Sequence, residues 1–221
     1  DLQANVFGAL LEEGEIQNNL FVKETTYDYS VPGLIRVFEV DGHVQIYGFN
    51  DTTNEVGALL EIGTYDPALG FSSYQSNKLF DYSAPGRVSI FNRNGDVDVF
   101  DYTNNEFGKL LEHGTFNAEI FAPSSFSTYT AKETYDYTAD GKVRIFHKDD
   151  KTVDVFEYDS ITNTLGRLLE NGTYDGIDFS SYVRRQIVNY EAPQGRAYFI
   201  DYTDPSKPTY RLVAWDGTNF G

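Results

Sequence analysis

Asn5-Val6-Phe7-Gly8-Ala9-Leu10-Leu11-Glu12-Glu13-Gly14 stands near the start of the chain, and its core pattern, Gly-x-Leu-Leu-Glu-x-Gly, returns at Gly57–Gly63, Gly108–Gly114 and Gly166–Gly172. The first glycines lie 49, 51 and 58 residues apart (57−8, 108−57, 166−108), the length of a four-stranded repeat unit. A second pattern accompanies the first: Tyr27-Asp28-Tyr29, Phe80-Asp81-Tyr82, Tyr135-Asp136-Tyr137 and Val188-Asn189-Tyr190.

The second unit shows what each repeat folds into. Lys78–Ser83 is rich in β-formers and stops at the turn Ala84-Pro85-Gly86. Arg87–Arg93 alternates apolar and polar residues up to Asn94-Gly95, a strong hairpin signal. Asp96–Thr103 alternates again, Phe107–Thr115 is a fourth strand, and a looser stretch, 117–131, leads onward. Helical periodicity is absent, so each unit is expected to be a four-stranded antiparallel meander with a long exit loop.

The two ends complement each other. Residues 5–14 form a fourth strand lacking the first three, while Ile187–Glu191, Arg196–Tyr202 and Thr209–Trp215 form three strands lacking a fourth. Joining them would remove both sheet edges. The expected fold is therefore all-β: one domain, 1–221, built as a four-bladed β-propeller of four-stranded antiparallel blades, its N-terminal strand 5–14 completing the C-terminal unit 187–221. The other units span about 25–77, 78–132 and 133–186. A single barrel of about sixteen strands is the competing architecture, disfavoured because such width leaves an aqueous lumen. Third strands such as Val97-x-Val99-Phe100-x-Tyr102 also carry large apolar groups on both faces.

Composition narrows the function. With 17 basic and 34 acidic residues the net charge is −17, which repels phosphate backbones and anionic membranes and suits cations, basic proteins or neutral ligands. No apolar run approaches a membrane helix, so membrane insertion is not expected. The lack of cysteine excludes disulfides and thiolate chemistry. The absence of an initiating methionine and the sequons at Asn50 and Asn171 suggest a secreted or periplasmic protein.

Three repeated features are candidate sites. The exit loops hold Phe71-Ser72-Ser73-Tyr74, Phe126-Ser127-Thr128-Tyr129 and Phe179-Ser180-Ser181-Tyr182, with a degenerate copy near Leu20-Phe21-Val22. Aromatic rings beside hydroxyls suit sugar recognition, which makes Phe71, Ser73, Tyr74, Phe126, Thr128, Tyr129, Phe179, Ser181 and Tyr182 the expected ligand contacts. Asp28, Asp81, Asp136 and Asn189 occupy equivalent first-strand positions; if those strands lay innermost, the four would converge and call for a hard cation such as Ca²⁺ or Na⁺. The glutamates after each Leu-Leu pair, Glu12, Glu61, Glu112 and Glu170, are read as acceptors for backbone or tyrosine donors.

Catalytic patterns fail. His43, His113 and His147 sit at non-equivalent positions, and no nucleophile elbow, phosphate loop or His-Glu-x-x-His is present. The sequence thus points to a secreted, non-enzymatic recognition protein, lectin-like, binding a glycan or other neutral ligand through repeated loops. The alternative is a scaffold whose acidic surface binds a basic protein or calcium; a carbohydrate-active enzyme comes third.

Overall fold

The computed structural model describes residues 9–122, 129–190 and 195–217. Sixteen antiparallel strands follow in chain order: β1 (Glu12–Gln17), β2 (Leu20–Asp28), β3 (Leu34–Glu39), β4 (His43–Asn50), β5 (Glu55–Thr64), β6 (Gln75–Asp81), β7 (Arg87–Asn92), β8 (Asp96–Thr103), β9 (Glu106–Thr115), β10 (Thr130–Asp136), β11 (Lys142–His147), β12 (Thr152–Asp159), β13 (Thr164–Thr173), β14 (Val183–Asn189), β15 (Arg196–Asp201) and β16 (Thr209–Ala214). Among the described residues no helix is long and apolar enough to cross a membrane.

The chain forms two compact units. The first runs to Gly108 and includes Phe116–Tyr129; the second comprises Lys109–Thr115 and everything from Thr130 onward. Each is an antiparallel meander joined by tight turns whose residues supply the required backbone. Asn104-Asn105 and Asn18-Asn19 take positive φ at two successive positions, as a type I′ hairpin needs, and Gly95 does so after Asn94.

Alternation along the strands puts apolar groups on both faces. In the second unit Phe146, Val153 and Val155 pack on one face, with Tyr174 over them. Val143, Ile145 and Tyr158 pack on the other, beside Tyr135, Tyr137 and Phe156. The first unit repeats the former cluster twice, as Phe38, Val44 and Ile46 and as Leu79, Phe91, Val97 and Val99.

The final glycine of Gly-x-Leu-Leu-Glu-x-Gly has a definite physical role. A Cβ on Gly63, Gly114 or Gly172 would lie 2.3, 2.5 or 2.3 Å from the carbonyl oxygen of Gln75, Thr130 or Val183 on the following strand. Those strands shift register beside these glycines, and Gly14 behaves likewise against Val22. Only a residue without Cβ admits a bulge this tight.

This close approach also changes the expected architecture. In a propeller the fourth strand of one blade would separate from the first strand of the next. Here β5 pairs with β6, β9 with β10 and β13 with β14, so pairing continues across every exit loop. The expected ring closure is likewise not seen. β1 pairs with β2 and β16 with β15, and neither has a partner on its other edge among the described residues. The observed class is all-β antiparallel, an unclosed meander of sixteen strands. Residues 5–8 of the expected closing strand lie outside the described residues.

Candidate functional site

The exit loops are held by contacts within the protein. Phe71 stacks on Phe38 with ring centroids 4.0 Å apart, and Tyr65 meets both rings edge-on. Ser73 accepts a hydrogen bond from the Asp66 N–H at 2.8 Å and donates to the Gly70 carbonyl at 2.7 Å. Tyr74 donates to Glu61 at 2.9 Å, and its burial pushes its pKa well above the ordinary tyrosine range.

The loop after β13 repeats this arrangement. Phe179 packs on Phe146 at 4.3 Å, Ser181 accepts from the Asp175 N–H and donates to the Asp178 carbonyl, and Tyr182 donates to Glu170 at 3.3 Å. Burial pushes the Tyr182 pKa up to about 12. Tyr129 packs against Phe91, with centroids 6.1 Å apart; Phe126 and Thr128 lie outside the described residues. The loop rings thus form lids over each core, and the Leu-Leu-Glu glutamates Glu61 and Glu170 receive tyrosine hydroxyls as the sequence suggests.

The Asp/Asn set divides into individual local arrangements. Asp28 is ion-paired with Arg36, and Asp136 with Arg144. Burial raises both carboxyl pKa values, but hydrogen bonds from Ser30 or Thr138 and the facing guanidinium outweigh it, leaving both below the ordinary aspartate value. Asp81 faces Ser89 across β6–β7 and accepts from the Ser83 N–H and hydroxyl. Asn189 faces Tyr198. Arginine supplies the positive charge at two of the four positions.

A polar site that the spacing did not reveal lies at the β11–β12 turn. Glu133 on β10 faces His147 on β11. The His147 Nδ1 lies 3.1 Å from Glu133, and Nε2 lies 3.2 Å from Asp154 on β12. Tyr135 donates to the other Glu133 oxygen at 2.7 Å, and Lys132 bonds both oxygens of Asp149. Asp150 receives the Thr152 hydroxyl and N–H, which hold its carboxyl below the ordinary value. Lys132, Glu133, His147, Asp149, Asp150, Thr152 and Asp154 line an open cleft of about 410 Å³. Four carboxylates against one lysine and one histidine make an acceptor-rich recess, and the Thr152 hydroxyl in its wall is already bonded to Asp150.

The polar row continues across the second unit. Asn171 faces Asp154 and donates to Gln186 at 3.1 Å, which donates in turn to Asp201 at 3.2 Å. In the first unit the corresponding turn, after β3, brings Glu39, Asp41 and His43 together, with possible ligand atoms all within 4.8 Å. Asp41 holds His43 at 2.8 Å, and that hydrogen bond and charge raise the His43 pKa. This trio could hold a divalent cation. The signal missed in the sequence was the turn itself: both histidines flank the second-to-third-strand turn, although at different offsets.

No protein family matches the chain, and no curated protein sequence does. Fifteen chains of solved structures match it, and two of them serve as examples. One is the computationally designed Ika4 protein, 16% identical, covering 94% of this chain and 99% of that one, with a TM-score of 0.17. The other is a 6-phosphogluconolactonase candidate from Bacteroides fragilis NCTC 9343, 9% identical, covering 87% and 70%, with a TM-score of 0.19. Superpositions this poor carry no argument about fold or function.

Proposed function

We propose that this chain is a non-enzymatic recognition protein whose acidic cleft at the β11–β12 turn takes a cationic group of a basic protein partner. The observation that carries this reading is the Glu133–His147–Asp154 chain, with Asp149 and Asp150 beside it. It presents fixed acceptors in an open recess, on a protein with net charge −17. Calcium at the acidic turns belongs to the same alternative. Carbohydrate recognition through the exit loops has less support, because the hydroxyls and rings that would serve it are engaged within the loops. The proposal includes an extracellular setting, which an exposed sequon at Asn50 suits. It also includes the finer architecture, a propeller-like ring in which a Gly-x-Leu-Leu-Glu strand completes the unit 187–221.

The test is titration of a fluorescent lysine- and arginine-rich peptide, read by anisotropy at low and high salt. Binding should weaken at least about tenfold in Glu133→Gln/Asp154→Asn and with added salt. Absence of binding, or binding indifferent to those substitutions, overturns the cleft as the site. Selective capture of a glycan in its place would restore the carbohydrate reading.

A further inference from the structure

Three times the chain covers the apolar face of its second and third strands in the same way. Aromatics two and seven or eight residues past the last motif glycine fold back onto it: Tyr65 and Phe71 after Gly63, Phe116 and Phe121 after Gly114, Tyr174 and Phe179 after Gly172. They pack on Phe38, Phe91 and Phe146 respectively. After Gly14 the same two offsets hold Ile16 and Phe21, which face each other across the β1–β2 hairpin. Among the described residues nothing covers them: Ile16 is 70% exposed against 5% for Tyr174 at the same offset, and Phe21 is 52% exposed against 41% for Phe71.

The complementary surface lies on β15–β16. By register, Ile200 stands where Phe146 stands, and Tyr210 where Val153 stands, since Phe146 faces Val153 and Ile200 faces Tyr210. Among the described residues β16 pairs with β15 alone. Tyr210 is 74% exposed, and Asn189, Tyr198, Ile200 and Tyr210 line an open, mostly apolar recess of about 340 Å³.

We infer that these two surfaces dock between two copies of this chain: β1 of one copy adds to the free edge of β16 of the other, and Ile16 and Phe21 cover Ile200 and Tyr210. The occupant is a second copy because the chain leaves donor and acceptor exposed together, and each is half of an interface it already builds. The internal pairs set the register. Val153 faces Gly172 and Val155 faces Glu170, so Tyr210 faces Gly14 and Leu212 faces Glu12 of the second copy. The contact is head-to-tail, and made twice it closes a two-fold ring with both exposed edges paired. This goes beyond the recognition proposal and is read by mass, not by ligand binding.

Light scattering during size-exclusion chromatography should give about 50 kDa, twice the 25.0 kDa chain, at micromolar concentration. Phe21→Glu and Tyr210→Glu should each weaken dimerisation about a hundredfold or more. Mixing the two variants should restore a dimer, because one of its two contacts then joins an intact Phe21 to an intact Tyr210. Circular dichroism checks that each variant is folded, and Ile16→Glu with Leu212→Glu replaces any that is not. A 25.0 kDa species at every concentration overturns the inference in favour of a closed or open monomer. A mixture that stays monomeric overturns the register, and a ladder of larger species overturns the closed pair.

Discussion

The β11–β12 hairpin and the β15–β16 hairpin are built on one pattern, yet only the first has a lid. Phe146 lies fully buried beneath Tyr174 and Phe179, while Ile200, at the matching position, is half-buried and Tyr210 beside it is open to solvent. The charge pattern differs in parallel. Asp136 and Arg144 form an ion pair at the entrance to the first hairpin, whereas Asn189 and Tyr198 replace them in the second. The lesson is that the sheet alone buries one side of these strands, and the exit loop supplies the other.

The largest expected effect follows from the lid. Phe146→Ala should cost about 3–5 kcal/mol in denaturant unfolding, and Ile200→Ala in dilute protein under about 1 kcal/mol. Equal losses would break the comparison. Next comes the bulge that launches the lid: Gly172→Ala places a methyl group 2.3 Å from the Val183 carbonyl and 2.5 Å from the Tyr182 ring. It should cost roughly 2–4 kcal/mol. Gly141→Ala, at φ +66 with open space around it, should cost only about 1 kcal/mol.

The ion pair gives a smaller, pH-dependent contrast. The Asp136 carboxyl has a lowered pKa when folded, so its contribution is present above the unfolded value near about 4 and lost as pH falls below it. Arg144→Ala should cost about 1–2 kcal/mol at neutral pH and flatten the acid limb of the stability profile. An unchanged limb would assign acid sensitivity elsewhere. The smallest effect is alkaline. Tyr182 and Tyr137 have pKa values pushed up to about 12, chiefly by burial, so their contribution is intact below the unfolded value near about 10 and fades as pH rises toward 12. Difference absorbance at 295 nm should show these two tyrosines titrating late together with Tyr74 and Tyr82, which burial also raises, and Tyr182→Phe should remove one of the four.

Much of the strand layout was legible in the sequence. The third strand of the second sequence repeat, Asp96–Thr103, stands where the alternation put it, and the Asn94-Gly95 turn takes the backbone its residues demand. The motif glycines were visible as a repeat, but their role depends on how closely the next strand approaches, which spacing does not carry. For the same reason spacing does not carry the separation into blades: the pattern shows where strands lie, not whether a loop leaves its neighbours paired. The candidate site was less legible still. Glu133, His147 and Asp154 are 7 to 21 residues apart and meet only because antiparallel register sets them side by side. The loop residues Ser73 and Tyr74 are legible as a repeated motif, but nothing in their types separates a sugar contact from a lid.

Pairing of each strand with its chain neighbours has a kinetic consequence. The widest described Cα pairing, Glu112 with Thr134, closes only 22 residues of chain, and most others close fewer. For an all-β protein the entropy spent on each closure is therefore small, and each completed hairpin offers a ready edge to the next strand. A nascent chain emerging from the ribosome could zip up one strand at a time, with no distant segment to wait for until the last.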